Sequence, residues 1–246
     1  MSDNPFFAEA HAALTRVAQT QGAVIDRAAL AMADAIAGGR SIFAFGASHS
    51  FMIVEEMVYR TGGLMLINPI YPHGMNLAVR PMTLTSRIER VAGLGAELLA
   101  NSPARSGDLL IIVSTSGRNA VTIDMALAAR AKGINTVGIT ALAYSGGVAS
   151  RHPTGKKLAD LCDIVIDNCA PCGDAAVAIG GCPQKVGPLS SITGIAIANA
   201  LAVAVAQHLA ARGVTPPVFM SANLDGGDAY NARLLAENRH RIHYMA

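Results

Sequence analysis

The sequence predicts an α/β fold of three layers, α-β-α, with a five-stranded parallel sheet in the middle. Three observations lead there. Short apolar runs alternate with longer segments of helical period, the order expected of βα units. The runs are continuously apolar, as in strands buried on both faces, whereas a strand with one wet face alternates. Finally, 52% of the 246 residues are hydrophobic, enough for a sizeable core.

The elements follow in order. Residues 8–38 read as helical, in two helices broken near Thr20-Gln21-Gly22, because Leu14, Val17, Val24, Ile25, Met32 and Ile36 recur with a partial helical period. Gly38-Gly39 ends this stretch. Residues 41–45 form the first strand, 48–61 a helix closed by Gly62-Gly63, and 64–68 the second strand. Residues 69–81, rich in Pro, Gly and Asn, read as a loop. A helix at 86–101, a strand at 108–113, a helix at 119–132 and strands at 135–140 and 163–167 complete the sheet. A long apolar helix spans 189–212 and a polar one 228–239. The chain reads as a single domain, 1–246: a helical N-terminal extension at 1–38, a sheet core at 35–212, and a C-terminal flap and helix at 213–246.

Composition excludes several function classes. Only 15% of residues are charged, the formal net charge is +2, and the arginines and lysines are scattered apart from Arg239-His240-Arg241. With 4% aromatics and no Trp, neither a basic stripe nor a base-stacking surface is expected, and so no nucleic-acid partner. Residues 1–9 are polar and acidic, without the apolar stretch of a signal peptide. The longest apolar run, 195–206, falls short of the roughly 18 residues of a membrane span. It reads as a buried helix, so no membrane partner is expected and the location is cytoplasmic. Cys169-Ala-Pro-Cys172 is a lone C-x-x-C with only Cys182, Asp174 and His152 as further conceivable ligands, and Cys162 is the fourth cysteine. Reduced thiols are the reading; no metal and no cofactor are expected.

In a parallel sheet, ligands bind at the carboxyl ends of the strands. Two turns there are rich in hydroxyls: Gly46-Ala-Ser-His-Ser50 after the first strand and Ser114-Thr-Ser-Gly-Arg-Asn119 after the third. Each joins a strand to a helix N-terminus, where unpaired amides and the helix dipole favour an anion. One Ser or Asn suffices to cap a helix. The second turn offers Ser114, Thr115, Ser116 and Asn119, which favours a phosphate group over plain capping. No G-x-x-x-x-G-K-[ST] or G-x-G-x-x-G run is present, so neither P-loop chemistry nor a dinucleotide is expected.

With the turns Gly46 to Ser50 and Ser114 to Asn119, and with Pro188-Leu-Ser-Ser191 opening a helix that continues as Asn199-Ala-Leu-Ala-Val-Ala204, the chain resembles the sugar isomerase (SIS) domain family over about residues 35–212. Within it, Glu55-Glu56-Met57, Asn68-Pro69, Lys185-Val-Gly-Pro188 and Ser221-Ala-Asn-Leu-Asp-Gly-Gly-Asp228 are similar to a bacterial group of stand-alone, phosphosugar-binding SIS proteins. The resemblance implies a flavodoxin-like five-stranded sheet and a small phosphorylated sugar as ligand. It implies that Ser50, Ser114, Ser116 and Asn119 hold the phosphate with Ser48 and Thr115 near it. Ser190 and Ser191 match a family Ser/Thr cluster that faces the ligand, or else cap the long helix.

Aldose–ketose isomerisation needs a base and often a histidine that opens the ring. In the resemblance, the base is a glutamate about ten positions after the first-turn serine; here that position is Arg60. Glu55 and Glu56 come earlier in the same helix and are the candidate bases, Glu55 on a stripe with Met52 and Tyr59, Glu56 positioned to pair with Arg60. His49, inside the first turn, is the candidate ring-opening group, with His73 next; His208 reads as structural, and His240 and His243 as tail. Asn223, Asp225, Asp228 and Asn231 around Gly226-Gly227 form either a turn and helix cap or a flap over an active site. Two function classes result: a phosphosugar isomerase acting on an aldose–ketose pair or an amino-sugar phosphate, and a non-catalytic sugar-phosphate sensor working through a protein partner. The apolar N-terminal helix and the alanine-rich late helix imply a homodimer or homotetramer.

Overall fold

The computed structural model describes residues 4–245. Its centre is a five-stranded parallel sheet of β1 (Ile42–Gly46), β2 (Ile67–Pro69), β3 (Leu109–Val113), β4 (Asn135–Thr140) and β5 (Ile164–Asp167), in the order β2-β1-β3-β4-β5. Every residue of β1 and β3 is buried, which explains why these segments carry no polar alternation. Side chains alternate between the two faces of a strand. Ile42, Ala44, Leu109, Ile111 and Val113 therefore join one core, against α1 (Pro5–Ala37), α2 (His49–Met57) and α7 (Ser190–Ala210). Phe43, Phe45, Leu110 and Ile112 join the other, against α4 (Leu94–Ala100) and α5 (Ala120–Ala131). The register sets Gly46 opposite Val113, so both serine turns leave the same edge of the sheet side by side.

Several elements differ from the sequence reading. Residues 5–37 form one helix, not two. Gly22 costs a helix interior about 1 kcal/mol relative to Ala, but burial of Val17, Ile25, Ala28, Ala29 and Met32 carries the helix through it. Gln21 also accepts the Asp167 amide at 3.0 Å, tying this stretch to β5. The helix expected at 86–101 is split into α3 (Thr83–Ile88) and α4, because Gly93 turns left-handed at φ +87°. Short elements absent from the reading are α6 (Leu142–Gly146) and an antiparallel hairpin of β6 (Ala175–Val177) and β7 (Val186–Pro188).

Helix α7 is long and apolar enough to span a bilayer by length and composition, yet Thr193, Gly194, Ile197, Ala198, Leu201, Val205 and Leu209 are packed inside the protein. The residues that read as a turn and helix cap or as a flap follow a segment paired with the chain just before β2. Val218 bridges Leu64, and α8 (Gly227–Asn238) buries Leu234. Asn231 bonds both the amide and the carbonyl of Met220, closing its own turn. Asn68, 1% exposed, clamps the C-terminal residues: it donates to the Arg241 carbonyl at 2.9 Å and accepts the His243 amide at 2.7 Å.

Gly95 marks the tightest helix contact, for a Cβ there would fall onto the Val121 carbonyl and within 2.8 Å of the Met125 amide. Gly95→Ala should therefore destabilise the fold by about 1–3 kcal/mol through overpacking. Urea denaturation checks this, and an unchanged midpoint would show that α4 and α5 separate freely.

Candidate functional site

The serine turns line one open cleft of about 260 Å³ at the carboxyl edge of β1 and β3. Ser48, His49 and Ser50 contribute from the first turn; Ser114, Thr115, Ser116 and Asn119 contribute from the second. Glu89, Tyr144 and Asp174 complete the wall. Of the residues singled out in the sequence for the phosphate, only Ser190 and Ser191 stand outside this lining.

The first turn is held in a backbone form that side chains rarely adopt. Ser48 has φ +53° and ψ −128°, a region natural to glycine that costs of order 1–3 kcal/mol. Its amide is pinned to the Met75 carbonyl at 2.7 Å. Gly46 before it permits the close approach, since a Cβ would lie 2.6 Å from the Ser50 carbonyl oxygen. In the second turn Gly117, at φ +59°, donates its amide to Ser114 Oγ at 3.3 Å.

Ser48 and Asn119 occupy the N-cap positions of α2 and α5, yet neither side chain caps its helix. Both turn to Glu89 instead. Ser48 Oγ donates to Glu89 Oε1 at 2.5 Å, and Asn119 Nδ2 donates to Glu89 Oε2 at 2.6 Å. Asn119 Oδ1 in turn accepts from Arg151 Nη1 at 3.0 Å. Plain capping, which would direct these groups at their own helix amides, does not describe this geometry.

Glu89 reaches the cleft because the α3–α4 turn is tied to α5. The Val121 amide donates to the Glu89 carbonyl at 3.2 Å. Asp124, on α5, accepts the Gly93 amide at 2.7 Å and His152 Nε2 at 2.9 Å; the Asp124 and His152 side chains are 10% and 8% exposed. His152 Nδ1 accepts the Thr154 amide at 3.2 Å, so Nε2 carries the proton given to Asp124. One buried carboxylate thus fixes both Glu89 and the loop that presents Arg151. Burial lowers the Arg151 pKa, and the charges of Arg118 and Arg90 lower it further, while Tyr144 and Glu89 oppose the shift.

The other residues singled out in the sequence stand elsewhere. Glu56 pairs with Arg60 at 2.9 Å and accepts from Asn199 at 3.1 Å. Glu55 is exposed in a separate groove beside Met52, Tyr59 and Ile195. Neither glutamate lines the serine cleft, because the helix carries both away from it. His73 borders a third groove with Phe43, Tyr71 and His243. Ser190 donates to Asp174 Oδ2 at 2.6 Å while Asp174 Oδ1 accepts the Ser190 amide at 2.7 Å, so Ser190 serves the start of α7. His208 pairs with Asp26 at 2.8 Å. Asp228 and Asn231 line a groove with Tyr59 and Phe219, away from the serine turns. Burial pushes the Cys162 thiol up to about 12, while Cys172 and Cys182 are exposed, and all four cysteines are free. Among the described residues, no three His, Cys, Asp or Glu side chains gather as a metal site.

Two features escaped the sequence. Glu89 lies mid-pattern in a stretch that reads as one helix, and only the left-handed Gly93 reveals a turn there. Arg118 and Arg151, far apart along the chain, are joined by a bond from the Arg151 amide to the Arg118 carbonyl, and Arg90 lies within Coulombic range of Arg151.

The SIS domain family profile matches residues 5–141. A UPF0309 protein of Shouchella clausii is 47% identical over 222 residues, 90% of each chain, and one of Oceanobacillus iheyensis is 44% identical over 233 residues, 95% of each. Among solved structures, a phosphoheptose isomerase from Francisella tularensis superposes with a TM-score of 0.56 at 16% identity, covering 83% of this chain and 96% of that one. A phosphoheptose isomerase from Neisseria gonorrhoeae gives 0.53 at 18% identity, covering 82% and 95%. At these identities the likeness speaks to the fold.

Replacing Asp124 by Asn sets a side-chain N–H against either the Gly93 amide or His152 Nε2. One buried donor then loses its acceptor, which costs about 1–3 kcal/mol. Asp124→Asn should lower the denaturation midpoint accordingly; a wild-type midpoint would show that the brace does not bear on stability.

Proposed function

The chain belongs to the SIS domain family, and on that premise we propose that it binds a small phosphorylated sugar at the serine cleft and isomerises it, as an aldose–ketose or amino-sugar phosphate isomerase of the cytoplasm. The observation that carries the reading is the diversion of two N-cap side chains, Ser48 and Asn119, from their helices into one cleft already lined by Ser114, Thr115 and Ser116. Neutral hydroxyl and amide donors, with the N-terminus of α5 behind them, suit a phosphoryl group.

Within this reading Glu89 takes the role of base in place of Glu55 and Glu56. It is the glutamate of the cleft wall, and two hydrogen bonds orient its carboxylate. It would remove the C2 proton of the sugar and return it to C1. His49, exposed on the same wall, would assist ring opening. A non-catalytic sensor is the second reading. One observation favours it: both Glu89 oxygens are already engaged by Ser48 and Asn119.

The test starts from a thermal-shift screen of aldose, ketose and amino-sugar phosphates, in which a ligand at a hundred times its Kd stabilises by about 2.7 kcal/mol. Ser116→Ala should weaken the phosphorylated ligand by about 1.5–3 kcal/mol and leave the unphosphorylated sugar unaffected. Equal effects on both would reduce the turn to a cap. Glu89→Gln should retain binding and lose about 10²–10⁴-fold in solvent deuterium exchange at C2. Wild-type protein that binds the ligand and exchanges no proton is a sensor.

The active form is proposed to be a homodimer or homotetramer. The support is apolar surface left open on α2, just after it and on α7, where Met52 is 38%, Tyr59 65% and Val203 60% exposed. Light scattering that finds only monomer at micromolar protein would overturn this.

A further inference from the structure

Beside the serine cleft, where Arg151 Nη1 donates to Asn119 on its wall, arginines gather that a single phosphoryl group does not explain. Arg118 belongs to the second serine turn itself, and its carbonyl accepts the Arg151 amide at 2.8 Å. Arg151 reaches over Asn119, and Arg90 follows Glu89 in the braced turn. The depressed Arg151 pKa has burial as its first cause and the Arg118 and Arg90 charges as its next ones, so both lie within Coulombic range of Arg151. Among the described residues none of the three forms an ion pair. The side chain of Arg118 is half-buried and its Nε, wholly enclosed, has no hydrogen-bond partner. Glu89 is the carboxylate whose charge acts on Arg151, against two neighbouring cations that oppose it.

This arrangement is costly without a counter-charge. Like charges repel, and an enclosed N–H without an acceptor forfeits its bond to water. The hydroxyls and the α5 N-terminus already provide for one phosphoryl group. Guanidinium forks match a carboxylate or a phosphoryl group equally well. We propose that the arginines gathered there, Arg90, Arg118 and Arg151, receive a second anionic group of the same ligand, so that the ligand class is a doubly anionic sugar, either a sugar bisphosphate or a phosphosugar acid. The inference rests on the phosphosugar reading of the serine cleft and narrows it. An extended polyanion is disfavoured by a net charge of only +2.

Calorimetric titration at fixed ionic strength tests it, with fructose 6-phosphate, fructose 1,6-bisphosphate and 6-phosphogluconate as probes. Wild-type protein should bind at least one doubly anionic sugar at least about tenfold more tightly than the monophosphate. Preference for the bisphosphate alone identifies a second phosphoryl group; preference for phosphogluconate alone identifies a carboxylate. Arg118→Met and Arg90→Met should each shrink the preference to within about threefold through weaker binding of the doubly anionic sugar. Methionine retains the apolar stem at both positions. The inference falls if wild type shows no preference, or if the preference survives in both arginine variants. When Ser116→Ala still weakens the monophosphate in such a case, the phosphosugar reading stands without it. Binding of none of the three sugars sinks both.

Discussion

The structure depends on one constraint: the two central strands, β1 and β3, are buried on both faces along their whole length. Their backbone groups can be satisfied only by neighbouring strands, and their side chains only by helices on both sides. Parallel strands also need a long crossover, so each strand must hand the chain to a helix at its carboxyl end. The β1 and β3 turns therefore emerge together, with Gly46 beside Val113, and two helix N-termini meet at one edge. The serine cleft is a by-product of how such a sheet must be covered.

What turns this edge into a site is the release of cap residues from capping. Ser48 and Asn119 sit where a helix wants a side-chain acceptor, and both donate to Glu89 instead. The strained backbone at Ser48 aims its hydroxyl across the cleft, and the Ser48 amide bond to Met75 holds it there. Opposite, Asp124 acts at a distance from any ligand. By bonding Gly93 and His152 it positions the turn that carries Glu89 and Arg90 and the loop that carries Arg151. Acceptor, donors and cations are thus mechanically linked through α5, the helix whose N-cap residue Asn119 lines the cleft.

The agreement between sequence and structure is uneven for physical reasons. The strand at 135–140 agrees to the residue, because Gly133 ends the helix before it and parallel strands on both sides set its hydrogen bonds. The turn residues Ser48, Ser50, Ser114, Thr115, Ser116 and Asn119 were legible because short loops between a strand and a helix keep nearby residues nearby. Gly22 misled, since a local propensity of about 1 kcal/mol is outweighed by burial of a whole helix face. Glu55 and Glu56 were chosen by distance along a helix, but which way a helix leaves its turn is decided by what it packs on, and Phe51, Ile53, Val54 and Met57 take the core side.

Sequence alone therefore determined the layers, the parallel sheet, the two serine turns and the family, since each is written in residues close together along the chain or in a period that burial imposes. Tertiary structure alone decided the carboxylate of the cleft and the cation that bonds its wall. Glu89, Asn119 and Arg151 form one hydrogen-bonded chain although 62 positions separate the first from the last. No local pattern encodes such a meeting, because it depends on Gly93 reversing the backbone and on a buried Asp124–His152 pair that draws distant segments onto one helix. Charge neighbours are set by through-space distance, and that distance exists only once the chain has folded.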